Sequence, residues 1–141
     1  MRRAVILDTG PLVALVDRRD KDHDWAVAQW SEIAPPLLTC ESVISEAAFL
    51  LGRTATGGSS VLEMLARGAL STPFRLDEHS RPVRALMRKY AEVPMSVAHA
   101  CLVRMTELTP QSTVMTLDRD FRIYRKHGRQ VIPLLMPNRR K

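Results

Sequence analysis

The chain has 141 residues, of which 45% are hydrophobic and 26% charged, proportions that fit one globular domain. These values exclude an intrinsically disordered chain, and no apolar run is long enough to predict a membrane span. Lysine and arginine number 21 against 15 acidic residues, and the net charge of +6 suits either a phosphate-bearing partner or a merely basic surface.

The first predicted element is a buried strand over residues 4–7, a short and continuous apolar run. It stops at Asp8, too early for the hydrophobic region of a signal peptide, so we expect a cytoplasmic protein. Pro11 then stands where the first turn of a helix tolerates proline, and a helix is predicted over 12–16. A strand, a sharp turn and a helix are the opening of an α/β unit.

A charged loop over 17–24 leads to an amphipathic helix that Pro35-Pro36 ends. A second short strand is predicted over 37–40, followed by a helix over 43–51 with Ser42 as its cap. Glu46 lies in the middle of that helix among apolar and small residues. It is either a buried carboxylate that needs a cation or an exposed residue of the polar face, and spacing leaves both open.

The remaining elements continue the alternation of helices and strands. They are a helix over 61–68, a strand over 74–76, helices over 78–90 and 97–108 (the second capped by Ser96), and strands over 113–117 and 131–135. Pro133 places the last strand at an edge of the sheet. The pattern predicts an α/β fold of one domain, with a central parallel sheet flanked by helices on both faces.

Acidic residues follow two of the predicted strands directly, Asp8 after the first and Asp118 after residues 113–117. Sites in open parallel sheets form beyond the carboxyl ends of the strands. Carboxylate oxygens are the ligands that Mg²⁺ prefers, and such ions can activate water against a phosphodiester. An aspartate at a strand end is as often a helix cap, so each residue alone leaves both interpretations open.

Four segments resemble, in order, the successive motifs of PIN-domain proteins, above all the VapC-type toxins of bacterial toxin–antitoxin pairs. They are Ile6-Leu7-Asp8-Thr9-Gly10-Pro11-Leu12, Ser45-Glu46-Ala47, Pro94-Met95-Ser96-Val97-Ala98-His99-Ala100 and Thr116-Leu117-Asp118-Arg119-Asp120-Phe121. The resemblance covers nearly the whole chain. It implies a PIN-like domain over residues 1–137 with a basic tail at 138–141.

The resemblance also implies a ribonuclease that depends on Mg²⁺ or Mn²⁺ and gathers its acids in a crevice. Asp8, Glu46 and Asp118 would be the catalytic metal ligands, and Thr116 would orient Asp118. Residues expected to assist around these ligands or to contact the substrate are Thr9, Thr116, Asp120 and Arg119. The implied partners are an RNA substrate, an antitoxin protein and a second copy of the chain in a homodimer, with no membrane. The amphipathic helices that begin near Val43 and Val61 are candidates for docking a partner.

The third motif departs from the family pattern at His99, where an aspartate normally stands. An imidazole offers one nitrogen, removes a negative charge and suits Mn²⁺ or Zn²⁺ better than Mg²⁺. Three outcomes stay open: His99 as an additional ligand, a one-metal site on the three acids, or an inactive enzyme. The last makes an RNA- or protein-binding module the alternative function. From the residues alone, His99 is a histidine held by a hydrogen bond in the first turn of a helix; the resemblance places it at the rim of the site.

Other polar and aromatic segments carry weaker signals. The basic cluster after Asp118 suits RNA phosphates or a solvated face equally: Arg119, Arg122, Arg125, Lys126 and Arg129. Trp25, Trp30 and Tyr124 could stack on bases, although core packing is favoured. The alternating acids of residues 20–24 lack the glycine and glutamate of a calcium loop, so no site is predicted there. Cys40 and Cys101 lack metal-ligand spacing and are predicted to be small core residues.

Overall fold

The computed structural model describes residues 3–55 and 57–138, so of the predicted tail Arg139, Arg140 and Lys141 lie outside the described residues. The helices are α1 (Thr9–Val16), α2 (His23–Glu32), α3 (Glu41–Leu50), α4 (Ser59–Ala66), α5 (Leu76–Lys89) and α6 (Val97–Leu108). The strands are β1 (Ala4–Leu7), β2 (Leu37–Leu38), β3 (Leu70–Ser71), β4 (Ser112–Met115), β5 (Arg125–Lys126), β6 (Gln130–Val131) and β7 (Leu134–Leu135). Across the described ranges, no helix has the length and apolar character needed to cross a membrane.

Five parallel strands form the central sheet in the order β3-β2-β1-β4-β7, with β1 in the middle. The register between β1 and β4 runs from Ala4 opposite Ser112 to Leu7 opposite Met115, so both strands end at the same level. β5 and β6 form a separate antiparallel pair. The predicted α/β class, a parallel sheet flanked by helices, is confirmed.

The core lies between the sheet and the helices that cover it. Ile6, Leu7 and Met115 are at most 1% exposed, as expected for strands of a parallel sheet that is covered on both faces. Cys40 and Cys101 are free thiols buried in this core, as predicted. Core packing, which was favoured over base stacking for three aromatic residues, is what the structure shows. Trp25 and Trp30 lie partly buried against the core, and Tyr124 is fully buried. Base stacking by Tyr124 is therefore wrong.

The predicted strand over 74–76 is wrong, because the third strand is Leu70–Ser71 and Leu76 instead begins α5. Phe74, whose apolar side chain suggested a strand, is instead buried in the connecting loop, where its ring stacks on that of His79 at a centroid distance of 5.0 Å. The predicted cap of α3 is wrong as well. That helix begins at Glu41, so Cys40 occupies the N-cap position and Ser42 lies within the first turn.

The predicted strand over 131–135 is two short strands separated at Pro133. Val131 pairs with β5, whereas Leu134–Leu135 pairs with β4 and forms an edge of the central sheet. Proline has no N–H to donate, but its carbonyl accepts the backbone N–H of Val114 at 2.9 Å. The edge position is thus confirmed for β7 alone.

Helices α3 and α4 approach closely where Gly58 faces Ala48. A Cβ atom at Gly58 would lie 2.7 Å from the carbonyl oxygen of Ala48 and 2.8 Å from its Cβ. We expect Gly58→Ala to lower the free energy of unfolding by roughly 1–3 kcal/mol through overpacking, measured by urea denaturation. Gly52→Ala is the matched control, since a Cβ there would meet nothing within 4 Å. Equal losses in the two variants would contradict the close approach.

Candidate active site

The candidate site lies beyond the carboxyl ends of β1 and β4. From β1 the chain proceeds outward to β2 and β3 on one side and later returns to β4 and β7 on the other. The strand order reverses between β1 and β4, and open α/β sheets bind their ligands at such switch points. A cavity of about 1100 Å³ opens there, and we call it the acidic crevice. Predicted site residues that line it are Asp8, Thr9, Glu46, His99, Asp118, Arg119 and Asp120.

Asp8 is both a helix cap and a residue of the crevice. Its Oδ1 accepts the backbone N–H of Thr9 at 2.8 Å and so caps α1. Its Oδ2 accepts the hydroxyl of Thr116 at 2.7 Å. Asp8 is only 3% exposed, so these bonds hold the carboxylate in one orientation. The helix-cap interpretation is therefore confirmed, and the same side chain also lines the crevice.

Thr116 joins the two acids that follow the strands. Its fully buried hydroxyl donates to Asp8 Oδ2 and accepts the backbone N–H of Asp118 at 2.9 Å. Thr116 itself lies behind the crevice wall. It was predicted to orient Asp118, and the structure adds that it also holds Asp8.

The Thr116 hydroxyl provides a test of this arrangement. Thr116→Val keeps the shape of the side chain but leaves Asp8 Oδ2 and the Asp118 N–H without that partner. We expect the free energy of unfolding to fall by about 1–3 kcal/mol, because a buried polar group without a hydrogen-bond partner has lost its contacts with water and gained nothing in return. Thr116→Ser keeps the hydroxyl and should cost less, about 0.8 kcal/mol for one buried carbon. Urea denaturation compares the two, and a valine variant as stable as the serine variant would show that the hydroxyl contributes nothing.

Asp118 and Asp120 stand on the short 3₁₀ turn after β4. Asp118 Oδ1 accepts the backbone N–H of Asp120 at 2.9 Å and caps the turn Arg119–Arg122. The Asp118 side chain is 42% exposed, in contrast to Asp8, so its carboxylate is open to solvent in the crevice.

Glu46 reaches the crevice from α3 as an exposed side chain. Of the two interpretations that the sequence left open, the exposed residue of the polar face is therefore confirmed and the buried carboxylate is wrong. The polar face of α3 forms part of the crevice wall, which explains how an exposed glutamate belongs to the site. Glu46 Oε1 accepts the hydroxyl of Thr9 at 2.6 Å. That bond ties α3 to the first turn of α1.

His99 occupies the gap between the two aspartates rather than the rim of the site. Its Nε2 lies 3.5 Å from Asp8 Oδ2 and 3.8 Å from Asp118 Oδ2, and the side chain is 17% exposed. The rings of Phe121 and Tyr124 meet the imidazole edge-on at centroid distances of 4.8 and 6.0 Å. These contacts confine the ring to the gap.

Protonation of His99 is favoured by its surroundings. Burial opposes the charged form, but the hydrogen bond to Asp8 and the negative charges of the crevice outweigh it and raise the pKa of His99 above its ordinary value. The Tyr124 hydroxyl lies 3.5 Å from Nδ1. Burial, followed by the negative charges of the neighbouring aspartates, raises the pKa of Tyr124, which stays protonated and can donate. A neutral ring that accepts from Tyr124 carries its proton on Nε2, so its Nε2 lone pair is not free for a metal.

The loop between α1 and α2 forms one wall of the crevice, and this was not predicted from the sequence. Asp20, Lys21 and Asp22 line the crevice, and Asp22 is 7% exposed. Asp20 Oδ1 accepts the Asp22 N–H at 2.8 Å, which turns the loop back on itself. Pro94 and Ser96, which precede α6, line the crevice as well. The alternation of acids in the loop was the signal that could have marked it.

The donors in the crevice are of the types that hold Mg²⁺ or Mn²⁺, namely carboxylate oxygens with one imidazole. Over residues 3–55 and 57–138, however, no three His, Cys, Asp or Glu side chains are grouped so that they could hold an ion as they stand. His99 Nε2 lies in the space between Asp8 and Asp118. A cation shared by these two acids would have to displace the ring.

A parallel α/β sheet with acids at this edge is the arrangement expected of a PIN domain, and the sequence matches the PIN domain family over residues 5–126. The chain belongs to this family. Its fold is similar to that of VapC20 of Mycobacterium tuberculosis, a sarcin–ricin loop cleaving toxin, with a TM-score of 0.75 and 17% identity over 83% of this chain and 92% of that one. A comparison with curated protein sequences found no match. The predicted membership of the PIN-domain family is confirmed, and the fold is similar to that of a VapC toxin.

Proposed function

We propose that the chain is a Mg²⁺- or Mn²⁺-dependent endoribonuclease, the toxin of a toxin–antitoxin pair, acting in the cytoplasm through a domain of residues 1–137. The observation that carries this proposal is the meeting of Asp8, Glu46 and Asp118 at one crevice from three distant parts of the chain. The family, and the RNA-cleaving activity named for VapC20, support the class of reaction.

Asp8 and Asp118 are the residues that would hold the cation, with Glu46 on α3 and His99 as further candidates. A divalent cation supplies Lewis acidity and positive charge for the attack of water on a phosphodiester. A cation that displaces the His99 ring and takes one of its nitrogens as a ligand would be Mn²⁺ more readily than Mg²⁺, so we expect the higher activity with Mn²⁺.

Basic side chains near the acids would hold the substrate. Arg119 lines the crevice and can bind a phosphate there. Arg125 does not share that role, because its Nη1 donates to the carbonyls of Arg122, Ile123 and Tyr124 at 2.8–3.1 Å. The Arg125 guanidinium stabilises the turn after Asp118. Within the basic cluster, Arg119 would therefore contact the substrate, whereas Arg125 has a structural role.

An apolar surface on α3 and α4 is our candidate for the protein partners. Phe49 and Leu62 are 83% and 56% exposed. Exposed apolar side chains gathered on neighbouring helices are typical of protein–protein contacts. We assign this surface to the antitoxin or to the second copy of the chain in a homodimer.

The position of His99 favours a second candidate function, an RNA- or protein-binding module that has lost catalysis. A protonated imidazole between Asp8 and Asp118 offsets the negative charge that would otherwise attract a cation. The fold and crevice would then serve binding alone.

Purified protein titrated with Mg²⁺ and Mn²⁺ in the presence of end-labelled RNA separates the two candidates. We expect cleavage that requires the cation, is faster with Mn²⁺ and stops when a chelator is added. RNA binding without cleavage under either cation supports the binding module. A chain that neither binds nor cuts RNA contradicts both candidates for this substrate.

A further inference from the structure

A second cavity, of about 700 Å³, lies beside the acidic crevice and is lined by charges of the opposite sign. Arg18, Arg19 and Arg53 line it, and we call it the arginine pocket; Asp17 is the one acid among its lining residues. Leu50 lines both the arginine pocket and the acidic crevice. The two cavities therefore adjoin.

The two cavities are built from the same two segments of the chain. The loop after α1 contributes its first arginines to the arginine pocket and residues 20–22 to the acidic crevice. Helix α3 contributes Glu46 to the crevice, and the 3₁₀ turn that follows it (Leu51–Arg53) contributes Arg53 to the arginine pocket. An extended ligand can pass from one cavity to the other over Leu50.

The guanidinium groups of the arginine pocket are available to a ligand. Arg18, Arg19 and Arg53 are exposed, and none of them forms an ion pair within the part of the chain that the structure describes. Arg75 shows the contrast, since it pairs with acids on α5. Asp17 accepts the backbone N–H of Arg19 at 3.0 Å, a bond that shapes the turn. Three positive charges against one negative charge leave the pocket basic.

We propose that the arginine pocket binds a backbone phosphate of the same RNA strand whose cut bond lies in the acidic crevice. The inference rests on the proposed function and adds a phosphate subsite to it. Guanidinium groups bind phosphate oxygens in pairs of parallel hydrogen bonds. They also offset the repulsion that the carboxylates of the crevice exert on a polyanion. Between the two polyanions, RNA is favoured over an acidic peptide because the proposed function places a phosphodiester and its cation in the adjoining crevice.

Metal-free RNA binding tests the subsite without interference from cleavage. We expect Arg18→Ala/Arg53→Ala to weaken binding of a labelled single-stranded RNA about tenfold in EDTA near 0.1 M salt, measured by fluorescence anisotropy. The slope of log K against log salt concentration should become shallower by roughly 0.7 for each phosphate that the variant no longer binds. Arg81→Ala/Arg84→Ala is the matched control, since it removes two exposed arginines that line a separate cavity on α5. Equal losses in both double variants would overturn the proposal.

Cleavage kinetics separate failure of the subsite from failure of the nuclease. With Mn²⁺, the Arg18→Ala/Arg53→Ala variant should raise KM more than it lowers kcat. If the wild-type chain cuts RNA and this variant keeps both its KM and its salt slope, the subsite is wrong and the proposed function stands. If the wild-type chain cuts no RNA but the variant still loses metal-free binding, the arginine pocket holds RNA and the nuclease proposal fails. Displacement of RNA by a polyglutamate peptide at lower concentration than by unlabelled RNA would overturn the subsite in favour of an acidic protein segment.

Discussion

Asp118→Asn is expected to lower the kcat of metal-dependent RNA cleavage by about 100-fold or more, because the cation that it helps to hold contributes several kcal/mol and each 1.4 kcal/mol is a factor of ten. The substitution removes charge and little else. The Asp118 side chain is 42% exposed, and the bond that its Oδ1 accepts from the Asp120 N–H can be accepted equally by an asparagine oxygen. The fold should therefore persist.

Single-turnover cleavage across a range of Mn²⁺ concentrations measures this loss, and circular dichroism checks that the variant is folded. Asp24→Asn is the matched control, since Asp24 is exposed on α2 and does not line the acidic crevice. It should keep the wild-type kcat. Asp8→Asn is a less specific test because Asp8 also caps α1, so activity and stability would fall together. An Asp118→Asn variant that cuts RNA at the wild-type rate would rule out the acidic crevice as the site.

His99→Asp is expected to raise Mg²⁺-dependent cleavage roughly tenfold or more, since Mg²⁺ prefers carboxylate oxygen to imidazole nitrogen and even changes around the ligands alter metal affinity or activity by factors of about 10–100. The substitution adds a carboxylate and removes the ring that now lies 3.5 Å from Asp8 and 3.8 Å from Asp118. Three carboxylates without a cation repel one another, so the metal-free variant should be less stable than the wild-type chain. Bound Mg²⁺ should reverse this, by about 2.7 kcal/mol at a concentration one hundred times its Kd.

Thermal unfolding with and without Mg²⁺ and cleavage of labelled RNA are the two measurements for His99→Asp. His99→Asn is the matched control because it vacates the gap without adding charge. A gain confined to the aspartate variant indicates that charge limits the wild-type site, whereas a gain in both variants indicates that the ring blocks it. If His99→Asp neither cuts faster nor gains stability from Mg²⁺, residue 99 takes no part in metal binding.

The part of the site carried by the sheet could be predicted from the sequence. β1 is a continuous apolar run that ends at Asp8, whereas β4 begins with two hydroxyl residues and ends at Met115, shortly before Asp118. Parallel pairing brings the ends of the two strands to one level. Ser96 was also predicted as the cap of α6 from its residue type and position. The structure confirms this, because the Ser96 Oγ accepts the His99 N–H at 3.0 Å. In these places a local pattern and a general rule of topology determine the position of the side chain.

Other parts of the site depend on tertiary packing that no local pattern encodes. The apolar neighbours of Glu46 left open whether its side chain is buried or exposed. The face of α3 that carries Glu46 in fact lies along an open crevice. The ring of His99 is placed by contacts with Phe121 and Tyr124, which lie on and just after a distant turn. No site was predicted in the loop between α1 and α2, because its acids do not match the calcium-loop pattern. The structure nevertheless places acids of this loop in the lining of the crevice.

The reversal of strand order at β1 is a property of the backbone, so the position of the opening beyond the sheet depends on the topology of the strands. At residue 99 the bond to Ser96 uses only the backbone N–H, so the cap of α6 would persist if another side chain stood there. Asp8 has no such freedom, since it also anchors the helix that follows. A variant without catalysis would therefore still be expected to need this first aspartate for its fold.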